Sequence, residues 1–175
     1  MSIDWESIAR QVGGIGPDGQ DRIVGTIGGR QAVQILLGEE NLRSAVDCCV
    51  SQSPGNFTAE MVLKVIRSTI AMEYCYKIFK TEQDREKANS AVFLLASFAD
   101  TEALPWIREF LNDGEEIIRW NGLMVLQCIL YGPVGDAGIA TAKEALDKAD
   151  SDTNPRLREL AKRVRPQLER FEMGL

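Results

Sequence analysis

Apolar residues recur three and four positions apart along almost the whole chain beyond Arg30, and no stretch alternates between apolar and polar residues for long. Because side chains at this spacing share one face of an α-helix, the pattern predicts an all-α fold. The predicted helices lie near residues 3–12, 21–37, 40–51, 58–80, 84–99, 102–112, 116–131, 136–149 and 155–171. Their short connections favour antiparallel neighbours, in either a bundle or a stack of helical hairpins.

Several residues predict where helices begin and end. Asn154 followed by Pro155 is typical of an N-cap and a first helical position, and the four residues Thr81 to Asp84 have the spacing of a capping box. Gly132 and Pro133 are expected to end the helix before them. Pro166 is expected to bend the last helix or to end it early.

An internal repeat favours stacked hairpins over a bundle. An Asp that is followed five and six positions later by an aliphatic residue and an Arg occurs twice, 39 positions apart. The two copies are Asp113, Ile118, Arg119 and Asp152, Leu157, Arg158. An amphipathic helix is predicted before and after each Asp, and pairs of helices at such a period are typical of a solenoid.

This repeat resembles the HEAT-repeat family. Leu104-Pro105, Asp113 and Ile118-Arg119 fall where that family has its first-helix Pro, its turn Asp and the Val-Arg that opens its second helix, and Asp152, Leu157 and Arg158 repeat the match. The resemblance covers residues 101–171 and extends in weaker form to 58–99, where Thr81 and Lys87 would stand in for Asp and Arg. An irregular helical bundle is the alternative.

The resemblance implies a right-handed α-solenoid of helical hairpins. It also implies that Asp113, Arg119, Asp152 and Arg158 are structural residues that form ladders between neighbouring repeats. On this interpretation residues 1–30 are an N-terminal helix and a Gly-rich junction, and residues 31–175 are the solenoid, all in a single domain.

Composition and charge exclude several classes of function. The 175 residues carry a net charge of −6 and no His, which argues against nucleic-acid binding and removes the commonest general base and zinc ligand. The four Cys form no C-x-x-C pair, so no metal is expected, and no cofactor is predicted. The acidic N-terminus and the lack of a long apolar run predict a cytoplasmic protein that binds no membrane.

A stripe of large side chains on the helix at 116–131 is the first candidate binding site. On a helical wheel, Ile118, Gly122, Val125, Leu126 and Ile129 form the core side of this helix. The opposite side carries Trp120, Met124, Gln127 and Tyr131, which are residue types that are enriched or adaptable at protein interfaces. The alternative is that a neighbouring helix covers the stripe as ordinary core.

An acidic rim is the second candidate. Residues 82–116 hold nine acids and three bases, which matches the net charge of the whole chain. If the turns of successive repeats lie side by side, an acidic edge forms from Glu82, Asp84, Glu86, Asp113, Glu115 and Glu116. Such an edge would steer a basic partner, although acids near helix N-termini are also favoured by the helix dipole alone.

Two Gly-rich motifs are candidates for phosphate sites. Residues Gly14 to Gly19 fit the pattern G-x-G-x-x-G, but a helical pattern precedes them where a dinucleotide site needs a strand. Gly25, Gly28 and Gly29 lack the Lys-Ser/Thr ending of a P-loop. A flexible or tightly turning junction is the preferred interpretation of this segment.

The sequence therefore predicts a non-enzymatic protein-binding module with no catalytic residues, which acts as a scaffold, an adaptor or an inhibitor such as an immunity protein. Its partner is expected to be another protein with a basic surface. The alternative is an enzyme, because some HEAT-like proteins handle tetrapyrrole chromophores, as a bilin lyase or isomerase would.

Overall fold

The computed structural model describes residues 3–17, 19, 20, 22 and 25–172, and within these ranges the chain is all-helical with no strand. The helices are α1 (Trp5–Gln11), α2 (Gly25–Val50), α3 (Asn56–Ile66), α4 (Thr69–Thr81), α5 (Arg85–Leu95), α6 (Leu104–Leu111), α7 (Glu116–Ile129), α8 (Asp136–Asp150) and α9 (Pro155–Glu172). A single 3₁₀ turn, Thr101–Ala103, leads into α6. No helix in the described ranges is both long and apolar enough to cross a membrane.

The single helix predicted over 58–80 is wrong. The chain breaks at Arg67, which has a left-handed backbone conformation with φ 48° that an α-helix cannot contain. Ser68 then caps α4, because its hydroxyl accepts a hydrogen bond from the Ala71 amide at 3.4 Å and donates one to the Gln34 side chain at 3.1 Å. The segment is therefore two helices with a buried polar cap between them.

Other boundaries also differ from the prediction. The separation predicted between helices at 21–37 and 40–51 is confirmed, because Gly38, with φ 74° and ψ 159°, interrupts α2 between them, although α2 begins at Gly25. The N-cap of α5 is Asp84 and not Thr81, whose hydroxyl donates to the Lys77 carbonyl within α4. Asn154 caps α9 as predicted, by accepting a hydrogen bond from the Arg156 amide at 2.9 Å.

The last helix does not end early at Pro166. Helix α9 continues to Glu172 although proline cannot donate a backbone hydrogen bond. Pro166 is exposed, whereas Val164 and Leu168 on either side of it are fully packed in the core. Burial of the apolar side of α9 therefore maintains the helix across the proline.

A tight turn lies between α1 and α2. The Arg22 amide donates to the Gly14 carbonyl at 2.8 Å and the Gly16 amide donates to the Gln20 carbonyl at 2.9 Å, which folds this part of the segment back on itself. Asp18, within the G-x-G-x-x-G pattern, lies outside the described residues. The boundary predicted at residue 30 falls inside α2, so Gly28 and Gly29 are helical and do not form a junction.

The helices pack in neighbouring pairs, α2 with α3, α4 with α5, α6 with α7, and α8 with α9. Between pairs, α2 packs on α4, α6 on α8, α5 on α7, and α7 on α9. Large side chains such as Phe98, Phe110, Leu126 and Leu146 are fully buried, and one continuous apolar core runs from α2 to α9. Each pair thus buries its inner side against the pairs beside it.

An aromatic cluster joins α4 to α6. Tyr76 stacks on Trp106 with ring centroids 4.6 Å apart, and Phe79 meets Phe110 edge-on at 4.9 Å. The Tyr76 hydroxyl donates to the Glu109 carboxylate at 2.6 Å. Burial and this hydrogen bond raise the pKa of Tyr76, so the phenol remains protonated in its contact with Glu109.

Candidate partner-binding surface

Helix α7 has the orientation that its sequence predicts. Ile118, Leu126 and Ile129 are buried, and Asn121 crosses to α5, where its amide donates to the Asn89 side chain at 2.7 Å. Gly122 is also buried, and its α-carbon faces Phe110 of α6 so closely that a methyl group would not fit. The core side of α7 is therefore confirmed.

The stripe on the other side of α7 is only partly exposed. Trp120 and Met124 are half-buried and pack against the core, and Gln127 is half-buried as well. Tyr131, just beyond the end of α7, has 72% of its surface exposed. The four predicted residues therefore do not form one uniformly exposed stripe, and Trp120 has both a packing contact and a free edge.

A cleft of about 370 Å³ opens beside the free edge of Trp120, between α7 and α9. Its lining consists of Glu116, Ile117, Trp120 and Arg156. Sequence reasoning included Trp120 and Glu116 but missed Ile117, because Ile117 lies beside the core position Ile118 and reads as an extension of the core. In the structure nearly half of the Ile117 side chain is exposed.

Four acids of the predicted acidic rim have partners within the molecule, and two of these four pair with the same cation. Arg85, at the first position of α5, donates through Nη2 to Asp113 and through Nε to Glu115, each at 2.6 Å. Asp84 is engaged as the N-cap of α5, and Glu82 accepts a hydrogen bond from the Asp84 amide at 3.2 Å. These four acids therefore have structural partners inside the molecule.

Two acids of the rim have no such partner. Glu86 and Glu116 are exposed and form no ion pair with any residue that the structure describes. Each lies in the first turn of its helix, where the helix dipole favours a negative charge. The six acids of the rim carry six negative charges against the single positive charge of Arg85, so this edge stays acidic, and Glu86 and Glu116 are its members without an ion pair or cap role among the described residues.

An arginine joins the pair α6–α7 to the pair α8–α9. Arg119 of α7 donates through Nε and Nη2 to the two carboxylate oxygens of Asp152, at 2.8 and 3.2 Å, in the turn between α8 and α9. Its third nitrogen, Nη1, donates to the carbonyls of Asp113 and Gly114 in its own turn, at 3.1 and 3.2 Å. Both charged side chains are more than four-fifths buried. The guanidinium therefore fastens one pair to the next.

The backbone part of this arrangement recurs at the 39-residue spacing. Arg158 donates through Nη1 to the carbonyls of Asp152 and Thr153, at 2.7 and 3.0 Å. Each turn Asp also accepts a hydrogen bond from the amide two residues later, at 2.9 Å for Asp113 and 2.8 Å for Asp152. The sequence repeat is thus also a repeat of hydrogen bonds.

The environment of Asp152 favours its ionised form. Partial burial by itself raises the pKa of a carboxyl group, but the hydrogen bonds from Arg119 and from the Asn154 amide outweigh it. The pKa of Asp152 is therefore lowered. The carboxylate remains charged at neutral pH and keeps the ladder closed.

A group of exposed apolar side chains lies elsewhere, on α3 and α5. Phe57 is 79% exposed, Val65 69% and Phe93 64%, and Met61 is about half exposed. Phe57 and Phe93 line the same cleft of about 290 Å³, so the exposed surfaces of α3 and α5 adjoin. We call these four residues the apolar face.

Sequence reasoning missed the apolar face, although a signal was present. Phe57, Met61 and Val65 are spaced by four on α3, on the side away from the buried residues Leu63 and Ile66. A helix that is apolar on both sides is either fully buried or has an exposed side that contacts something else. The prediction of one long helix over 58–80 obscured this pattern.

The four cysteines are free thiols, and burial lowers the reactivity of Cys49, Cys75 and Cys128. Burial raises the pKa of Cys75 strongly, and burial together with the neighbouring Cys48 and Glu60 raises the pKa of Cys49 to about 11. Within the described ranges, no group of three or more Cys, Asp or Glu side chains is arranged to hold a metal ion.

Comparison with protein-family models, with curated proteins and with solved structures finds no match for this chain.

Proposed function

We propose that this chain is a non-enzymatic protein-binding module, a HEAT-like right-handed α-solenoid that occupies the surface of a partner protein as a scaffold, an adaptor or an inhibitor of the immunity-protein type. The observation that carries the proposal is the apolar face on α3 and α5. Function is assigned to this surface because large exposed apolar side chains of two adjoining helices lie together there.

The repeated hydrogen bonds support the solenoid. Contacts from α5 to α7 join Arg85 with Glu115, Asn89 with Asn121, and Ala99 just beyond α5 with Cys128. Residue numbers rise together along both helices, so these second helices run in the same direction, as they do in stacked hairpins. The ladder from Arg119 to Asp152 adds the next pair in the same way.

The composition of the apolar face suits a protein partner. Phe and Met supply large contact areas, and such residues are enriched in the centres of interfaces. Glu60 lines the shared cleft and is paired with Lys64 at 2.7 Å, and Glu86, on α5 but outside the cleft lining, forms no ion pair with the described residues. A partner with an apolar centre and basic residues at its rim would complement this surface.

Trp120 and the acids near it form the second part of the proposed site. The cleft between α7 and α9 offers the free edge of Trp120, the exposed Ile117 and the unpaired Glu116. Met124, Gln127 and Tyr131 continue along α7, on the side away from its core. In this proposal, the second helices α3, α5 and α7 together form the working surface.

The test is capture of partners from the native cell by two proteins that differ only in the apolar face. A Phe57→Ser, Phe93→Ser double variant is expected to lose a stoichiometric partner that the unmodified chain retains, because the two rings lie at its centre. An Ile27→Ser variant, which removes a 72% exposed apolar side chain at the start of α2, is the matched control and is expected to retain the partner.

Thermal unfolding must accompany the capture. Since both Phe side chains are mostly exposed, the double variant should unfold at nearly the same temperature as the unmodified chain. If the same proteins are captured by both chains, or if only an unfolded variant loses its partner, the apolar face is not the binding surface.

A further inference from the structure

Arg119 and Arg158, which are related by the internal repeat, are anchored in the same way. In each, Nη1 donates to two backbone carbonyls of the preceding turn, those of the Asp six positions earlier and of the residue after it. These bonds fix the plane of the guanidinium. The other edge of the group, formed by Nε and Nη2, is therefore held in a defined direction.

The two arginines differ in what this other edge contacts. In Arg119, Nε and Nη2 hold the Asp152 carboxylate in a bidentate pair. In Arg158, neither Nε nor Nη2 makes a hydrogen bond or ion pair with any residue in the described ranges. Arg158 therefore has the two backbone acceptors of its own turn, as Arg119 does, but no carboxylate on its other edge.

We propose that the Nε and Nη2 edge of Arg158 binds a carboxylate side chain of an acidic protein partner, in the bidentate geometry with which Arg119 holds Asp152. The molecule itself contains the model for this contact. Arg119, one pair earlier, is anchored to its turn in the same way and binds the Asp152 carboxylate. This contact lies on α9 and is separate from the apolar face.

The charge of α9 supports an acidic partner. Arg156, Arg163 and Arg170 are exposed and form no ion pair with the described residues, whereas Lys162 pairs with Glu159, and Arg165 with two Asp of α8. Arg158 lies on a different side of α9 from these three arginines, because residues seven positions apart share one side of a helix and residue 158 is out of that spacing. Six basic and three acidic residues between Pro155 and Glu172 nevertheless make α9 basic in a chain of net charge −6. This charge complements an acidic segment, and the carboxylate held by the equivalent edge of Arg119 favours a carboxylate over a phosphate as the ligand.

The test measures binding of a short fluorescein-labelled peptide rich in Asp to the full chain by fluorescence anisotropy at low ionic strength. Arg158→Gln should raise the Kd about tenfold, since a bidentate charge-assisted pair is lost. Arg163→Gln, the matched control, removes the same charge from the same helix and should raise the Kd only about twofold. Arg158→Lys should bind almost as weakly as Arg158→Gln, because an ammonium keeps the charge but not the fork.

A second measurement needs no variant that could unfold. In the unmodified chain, the Arg158 Nε–H resonance should shift on addition of the Asp-rich peptide, while that of Arg119 stays in place because its carboxylate is already bound.

Equal losses of affinity in the Arg158 and Arg163 variants, or an unshifted Arg158 resonance, would overturn the proposal. Tighter binding of a DNA duplex of similar charge would overturn the choice of a carboxylate ligand. The Phe57 and Phe93 variants should bind the peptide normally, so this proposal and the proposed function can fail independently.

Discussion

Replacement of Gly122 by Ala tests how closely α6 and α7 approach each other. A methyl group built on Gly122 would lie 2.4 Å from the Cβ of Phe110. Carbon atoms in contact are normally about 3.5 to 4.0 Å apart, so the two helices would have to separate by roughly 1 Å or more. Phe110 is fully buried and packs edge-on against Phe79, so it cannot turn away into solvent.

Two effects of opposite sign decide the result. Alanine has a better helix propensity than glycine by about 1 kcal/mol, which favours the variant. Overpacking of a well-packed core costs about 1 to 3 kcal/mol, and a clash between two helix backbones belongs at the upper end. We expect Gly122→Ala to lower the free energy of unfolding by about 2 kcal/mol, which lowers Tm by about 4 to 8 °C in a chain of this size.

The matched control is Gly29→Ala in α2. A methyl group at Gly29 would meet no atom within 4 Å. Only the propensity effect remains there, so this variant should be more stable than the unmodified chain by up to about 1 kcal/mol. Urea unfolding followed by circular dichroism measures both changes, with an unchanged slope as the check on two-state behaviour. If Gly122→Ala were as stable as Gly29→Ala, the packing of α6 against α7 described above would be refuted.

Four further outcomes are expected. Leu126→Ala should cost about 2 to 5 kcal/mol of unfolding free energy, measured in urea, because Leu126 is fully buried. Asp152→Ala should cost roughly 3 kcal/mol, since it leaves the Arg119 guanidinium partly buried without its carboxylate. Because the pKa of Asp152 is lowered in the folded chain, its contribution is complete above the ordinary carboxyl pKa and is lost as the pH falls through the folded value, so acid unfolding should be less steep in Asp152→Ala. In native protein at neutral pH, Ellman's reagent should leave Cys75 unmodified and react slowly with Cys49 until urea is added.

The repeat and the helical wheel were accessible from the sequence because both depend on local spacing. The core side of α7 follows from residues three and four apart, and the ladder residues Asp113 and Arg119 lie within one turn and the start of the following helix. The N-cap at Asn154 depends only on its next neighbours. For such features, the physical cause and the sequence signal lie in the same few residues.

The features that sequence reasoning missed depend on contacts between pairs or on an unmarked backbone change. Arg85 pairs with both Asp113 and Glu115 only because α5 and α7 lie side by side. The left-handed conformation of Arg67 has no Gly or Asn to signal it, so the two helices around it were read as one. That error in turn concealed the apolar face on α3. The sequence does not decide whether Trp120 is core or surface, because one part of its side chain packs against the core and another part lines a cleft.

The packing of helices in neighbouring pairs has a consequence for how the chain folds. Most of the packing joins a helix to the next one in sequence or to the adjacent pair, so few loops must close over long distances. Chains with such local contacts fold quickly, because little chain entropy is lost before each contact forms. Each helical pair that emerges from the ribosome can pack on the pair that was synthesised before it. The chain can therefore fold progressively during synthesis.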